Sequence, residues 1–407
     1  MLLATSLIFV NCTSDLDQGP AGPAGPAGVD GVDGVDGEDG IGTGSSTTVL
    51  LAKKALIGPT VDGIVDASWV NAQELKVIAE VPDLENKVFQ GYEGDSYETT
   101  MKAQYDDEYV YFLAQWKDTN LSKDRDTWYF DAASSLWKQE SNKPVFDGET
   151  KTREAFYEDK FAMLFNVNES VPGWAAETCY ASCHTGLTEA ENYVRHYTEE
   201  AGQAVDMWHW KMARTNYYGT FDDQNQTDVK GADSNGRHSD GGNQNPYENN
   251  RQELALDGTG DLVNVPLYVI PGRENNSWIT EDEINNGTAK LITAAGTDGK
   301  LTLENGDVID PVTNLNYQRD GEKTALLGMA SITVYPTIGT GSRGDILAKG
   351  VFTGNGWILE FKRKLDTGDH VVDVTFDTSK DYPFGLGVFD NAAIAHAITP
   401  FLTLKFE

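Results

Sequence analysis

From Leu50 onward the chain alternates. In Met101-Lys102-Ala103-Gln104-Tyr105, and again in Tyr109-Val110-Tyr111-Phe112-Leu113-Ala114-Gln115-Trp116, aromatic and β-branched residues recur around the polar turn Asp106-Asp107-Glu108. A period of two sends successive side chains to opposite faces of a strand, so the pair reads as a hairpin. Residues 161–167 form a nearly continuous apolar run short enough for a buried strand. Residues 356–363, 371–376 and 401–406 follow the same pattern. Helical signals are few, and Asp66-Ala67-Ser68-Trp69 opens one short helix. Short strands punctuated by glycine predict an all-β fold, an antiparallel β-sandwich.

Between about residues 222 and 321 the pattern weakens. Asp222-Asp223-Gln224-Asn225-Gln226 and residues 240–250 are polar and Asn- and Gly-rich, and they read as long loops inserted between core strands. Asp257-Gly258-Thr259-Gly260-Asp261 is acidic enough to suggest calcium. No loop has the full EF-hand ligand spacing, so a solvated loop is the reading here.

The chain has 64 Asp and Glu against 31 Lys and Arg, a formal charge of −33. Nucleic acid is excluded as a partner, because binding it requires neutralising phosphates. A basic protein partner or bound cations suit such a surface. With 407 residues, 39% of them hydrophobic, one large domain over 49–407 can bury a substantial core.

The first 48 residues have a different character. Met1 to Val10 are mostly apolar and run into Asn11-Cys12-Thr13, an export signal over 1–12 with Cys12 as the lipidated residue. The expected location is therefore outside the cytoplasm: lipid-anchored at the outer membrane or cell surface, or periplasmic. Over residues 13–48, glycine recurs every third position from Gly19 to Gly40. This collagen-like tract serves as an extended tether or joins three chains in a homotrimer, because only glycine fits a triple-helix axis.

The chemistry sits in Cys179-Tyr180-Ala181-Ser182-Cys183-His184. In c-type attachment two thiols bond a haem and the adjacent histidine binds its iron; here three residues separate the thiols instead of the usual two. A local disulfide or half of a zinc site are the alternatives, the second needing two further ligands. Downstream lies Asp206-Met207-Trp208-His209-Trp210-Lys211-Met212-Ala213-Arg214. Its aromatic and basic residues suit a planar anionic ligand, with Trp208 and Trp210 on the ring and Lys211 or Arg214 on the propionates. A strand with half-buried tryptophans is the plainer reading. His209 is a rival iron ligand or a supporting hydrogen-bonding group. Met207 and Met212 are thioether ligands or core filler. His196, His238 and His370 lie in polar contexts that suit the surface.

Taken with the opening Val61-Asp62-Gly63-Ile64-Val65-Asp66 and the C-terminal Arg363-Lys364-Leu365-Asp366-Thr367-Gly368, Phe389-Asp390-Asn391 and His396, these segments resemble the ethylbenzene dehydrogenase-type haem-binding family. The resemblance runs from about Leu56 to the C-terminus, outside the polar insertion. It implies an immunoglobulin-like sandwich with haem held between loops at one end. It also implies a relation to the haem subunits that accompany dimethyl sulfoxide reductase-type molybdenum enzymes. Better-known members hold a b-type haem between a methionine and a lysine. Carried onto this chain, those positions become His184 and His396, the two axial ligands.

The expected function is an exported monohaem c-type cytochrome, an electron carrier and not an enzyme. It would bind one haem covalently and pass single electrons between redox proteins, a molybdenum enzyme or other cytochromes among them. No Gly-x-Ser-x-Gly, His-Glu-x-x-His or phosphate loop is present. Two other readings remain: a surface carbohydrate-binding module stacking sugars on Trp69, Trp128 and Trp137, and a haem sensor or peroxidase with an open iron position.

Overall fold

The computed structural model describes residues 48–83, 88–182, 196–229, 236–242, 244–274, 277–319 and 325–407. The signal, Cys12, the collagen-like tract, Cys183 and His184 lie outside them. Twelve strands form the main sheet: β1 (Val49–Lys54), β2 (Leu75–Glu80), β3 (Ser96–Tyr105), β4 (Tyr109–Lys117), β5 (Lys160–Asn166), β6 (Val205–Lys211), β7 (Asp222–Gln226), β8 (Arg237–Ser239), β9 (Leu347–Phe352), β10 (Gly356–Lys364), β11 (Asp381–Phe389) and β12 (Ala397–Phe406). Their order is β8-β7-β6-β5-β11-β12-β1-β3-β4-β10-β9, and β2 pairs with both β12 and β3.

This sheet folds over on itself into a β-sandwich. Inward aromatics of β5 and β6 meet those of β4 and β10: Trp116 stacks on Phe161 at 5.5 Å, Phe112 abuts Trp208 at 5.8 Å, and Trp210 abuts Trp357 at 5.0 Å. Burying each such ring contributes on the order of 2–3 kcal/mol. The far edges also approach one another, since Phe221 N–H donates to Ile346 O and Ala348 N–H to Gly219 O. The expected sandwich is present, with one departure from antiparallel pairing: β1 runs parallel to both β12 and β3. The expected short helix is a 3-10 turn, Ala67–Asn71, capped by the Asp66 side chain on Ser68 N–H.

Two other expectations change. Residues 222–226 are strand β7, wholly buried, and not loop. Their polar side chains bond inside the fold, as Asp222 does with Lys211 and Arg343, so hydropathy conceals the strand. Residues 371–376 form a loop despite their alternation. Asp373 turns inward to accept from Thr367 Oγ1 at 2.6 Å and Ser342 Oγ at 2.9 Å, while Val374 and Phe376 still fill the core. Much of the remaining polar insertion builds a second, six-stranded sheet within residues 252–309. Its separate core takes in Trp128, Phe130, Trp137 and Met329. The acidic stretch 257–261 is the turn joining two of its strands. Among the described residues, no helix is long and apolar enough to cross a membrane.

Candidate functional site

Strand alternation divides β6 between two environments. Asp206, Trp208 and Trp210 point into the sandwich, with both tryptophans in the main core. Val205 and Met207 belong to a second apolar cluster on the opposite face, shared by His209 and Lys211 through the period of two. The neighbouring strands divide in the same way. β5 turns Phe161, Met163 and Phe165 inward and Ala162 and Leu164 outward; β11 turns Phe384, Leu386 and Val388 inward and Phe389 outward. In register, Leu164 lies between Met207 and Gly385, Ala162 between His209 and Gly387, and Lys160 between Lys211 and Phe389. The middle of this outer face is therefore a floor of the three smallest side chains, Ala162, Gly385 and Gly387.

The segment carrying the cysteine motif covers that floor. A helical turn, Trp174–Glu177, leads into a 3-10 turn, Thr178–Ala181. Trp174 Nε1–H donates to Pro383 O at 2.8 Å, and Phe401 N–H donates to Thr178 Oγ1 at 3.2 Å. Cys179 is thereby buried, in one cluster with Ala162, Leu164, Met207 and Phe389. A Cβ placed on Gly385 would stand 2.7 Å from its Sγ. Burial pushes the thiol up to about 11, so it is neutral in this pocket.

Two imidazoles approach the same floor. His396 Nδ1 lies 2.7 Å from Ile394 O, a pure acceptor, so Nδ1 donates there and Nε2 is the nitrogen a metal would use. The ring stacks on Phe389 at 4.6 Å, and its Cδ2 is the nearest atom, at 3.4 Å, to a Cβ built on Gly387. Cys179 and His396 thus stand over alternate glycines of one strand face, roughly 7 Å apart along it. His209 lies 5.4 Å from Phe389, with Nδ1 3.4 Å from Gln224 Oε1. Its Nε2 is buried with no hydrogen-bond partner. Burial first, then the charges of Lys211 and Lys160, hold it well below the usual histidine range, so the ring is neutral.

The remaining candidates are placed elsewhere. Trp208 and Trp210 cannot stack on a ligand shared with His209, because strand geometry puts them on the other side of the sheet. Lys211 is ion-paired with Asp222. Arg214 is ion-paired with Glu158, whose Oε2 also accepts from Ala213 N–H and Arg214 N–H. Both cations are therefore paired with buried carboxylates, Lys211 on the face it shares with His209. Met212 packs at the edge of the main core. His370 and His238 are exposed beside Asp366 and Asp228. His196 is half-buried, with Nδ1 3.2 Å from Gln226 Nε2. Trp69, Trp128 and Trp137 are each no more than 6% exposed and present no stacking surface for sugars.

Sequence reading missed the floor. Gly385-Leu386-Gly387-Val388-Phe389 alternates glycine with large apolar residues, the one signal that could have disclosed it. It also missed Lys160, a buried amine donating to Ala393 O at 2.9 Å and lying 4.0 Å from the Phe389 ring centre.

A family model described as ethylbenzene dehydrogenase matches residues 66–399. Among solved structures, two of a family 9 carbohydrate-binding module from Caldicellulosiruptor kristjanssonii are similar. The complex with cellotriose is 8% identical, covers 88% of this chain and 93% of its own, and has a TM-score of 0.29. The complex with glucose is 9% identical, covers 88% and 95%, and has the same TM-score of 0.29. Superposition this loose carries no argument about function. No protein of curated function matches the chain.

Proposed function

The chain belongs to the ethylbenzene dehydrogenase family, and from that premise we propose that it is an exported electron carrier holding one covalent haem. Cys179 and Cys183 would supply the thioethers, and His184 and His396 the nitrogens that hold its iron. The observation that carries this reading is the meeting of Cys179, Met207, His209 and His396 over a floor of Ala162, Gly385 and Gly387. Cys179 Sγ stands on Gly385 and the His396 ring on Gly387, so the small floor lets both candidate haem-holding side chains pack against one strand face. The orphaned Nε2 of His209 is a further group that such a ligand or its iron would satisfy.

When bound, haem supplies one-electron transfer, tuned by its axial ligands and its burial. The protein's own share is positional. The Ile394 carbonyl fixes the His396 tautomer, and Phe389 fixes the plane of that ring. The aromatic core beneath the floor keeps the face rigid and dry. The partner would be a second redox protein, with a molybdenum enzyme or another cytochrome the classes that the resemblance implies. The lipid anchor at Cys12 and the Gly-X-Y tether would hold the domain away from a membrane surface.

The test is to produce the full chain in a host that matures c-type cytochromes, denature it, and look for haem on the polypeptide. Wild type should retain it, and Cys183→Ala should lose or weaken that attachment. His396→Ala should convert a low-spin spectrum to high-spin, and carbon monoxide should leave the wild-type Soret band unmoved. Wild type without a Soret band overturns the proposal. An unchanged His396→Ala spectrum moves the ligand to His209 or a methionine.

A further inference from the structure

Inside the sandwich, on the side of β6 away from the candidate haem face, three aspartates converge. Asp206 comes from β6, Asp223 from β7 and Asp373 from the loop after β10, and all three are fully buried. One carboxylate oxygen from each lies within 4.8 Å of the other two. The surrounding donors satisfy only part of this group. Arg363 Nη1 donates to Asp206 Oδ2 at 2.8 Å, and Val374 N–H donates to the same oxygen at 2.9 Å. Gln224 N–H donates to Asp223 Oδ1 at 3.0 Å. Ser342 and Thr367 hydroxyls donate to Asp373, and Arg363 Nη2 lies 3.2 Å from its Oδ2.

Asp206 Oδ1 and Asp223 Oδ2 remain buried with no partner. An ionised carboxylate oxygen only accepts, so neither can satisfy the other. Two such orphans in one fully buried cluster are unfavourable unless a proton or a cation lies between them. The three carboxylates share the one guanidinium of Arg363, so the cluster holds more acidic groups than basic ones. Two more carboxylates stand beside the group, Asp240 sharing Ser342 and Asp345 lying 4.0 Å from Arg363.

We propose that Asp206, Asp223 and Asp373 bind one divalent cation, Ca²⁺, which ties β6, β7 and the loop after β10 together. The donor set is all oxygen, the choice of a hard ion and not of zinc or copper. The span between donor atoms suits Ca–O bonds of about 2.3–2.6 Å meeting at one centre. Arg363 is no obstacle, because it occupies Asp206 Oδ2 and leaves Oδ1 for the ion. Asp206 adjoins Met207 in β6, so the ion would also fix the strand that carries Met207 and His209. The inference does not rest on the haem reading.

The test uses the full chain stripped with a chelator and dialysed. Metal analysis after re-equilibration with Ca²⁺ should find one ion per chain, and Ca²⁺ should raise the melting temperature. Tb³⁺ should luminesce on tryptophan excitation, because Trp208 packs 5.1 Å from the Arg363 guanidinium, and Ca²⁺ should quench that signal. Asp223→Asn should weaken binding about tenfold or more, at least the loss seen when a mere supporting group of a metal site is removed. Asp261→Asn, in the exposed acidic turn, should change nothing. Wild type that retains no ion and melts identically with Ca²⁺ and with chelator overturns the proposal. So does loss of the ion in Asp261→Asn. If Asp223→Asn fails to fold, the wild-type metal content and melting shift decide the matter alone.

Discussion

Cys179 rests directly on Gly385: any side chain at 385 would place its Cβ 2.7 Å from the sulfur and 2.8 Å from the cysteine's own Cβ. Two positions along the same strand, Gly387 is looser, with its nearest contact at 3.4 Å from His396. Gly385→Ala should therefore displace the cysteine segment, cost about 1–3 kcal/mol by overpacking, and lower the yield of covalently attached haem. Gly387→Ala should fold normally and at most perturb the absorption spectrum. Chemical denaturation and haem staining check both, and equal behaviour of the two variants would contradict the arrangement.

The two faces of β6 make a paired prediction. Trp210 is fully buried in the main core, so Trp210→Ala should cost about 3–5 kcal/mol in urea unfolding. Trp210→Phe should leave the haem spectrum as it is in wild type. His209→Ala should shift that spectrum, because His209 stands on the ligand face. A spectral change in Trp210→Phe alone would reverse the assignment of faces.

Glu158 anchors Arg214 and two backbone amides in a buried cluster. Removing its carboxylate leaves a guanidinium buried and uncompensated, a loss of about 3–5 kcal/mol for Glu158→Ala. Glu158→Gln keeps an acceptor oxygen and should cost less. The comparison is made by equilibrium unfolding.

Asp390 sits with Asp118 and Asp159, one oxygen of each lying within 4.8 Å of the others. Burial, and then the charge of Asp118, push its carboxyl up to about 7. The ordinary value is 3.8, so between these values the folded state binds more protons than the unfolded one. This group's contribution to stability is present below the ordinary value and is lost as pH rises through about 7. Asp390→Asn removes that charge and should flatten the decline in melting temperature between about pH 4 and about pH 7. An unaltered slope would refute the role of Asp390.

Local pattern in the chain determined a good deal. Alternation in 101–105, 109–116 and 356–363 announces strands, because a period of two needs only neighbouring residues to be visible. The Cys179-to-His184 spacing and the Gly-x-Gly-x-Phe of β11 are likewise present in the string. What only the tertiary structure decided is which distant segments share a face. His396, Cys179 and His209 meet because β11 and β5 lie between the segments that bear them, a matter of sheet order that no local period encodes. The same order turned Asp222-Asp223-Gln224-Asn225-Gln226 from an apparent loop into a buried strand, because Lys211 and Arg343 neutralise Asp222 from far along the chain. It also gathered Asp206, Asp223 and Asp373, three acidic residues that look solvated when read one at a time. A polar side chain's partners are set by long-range packing, and in this protein that packing settled what the aspartates and histidines face.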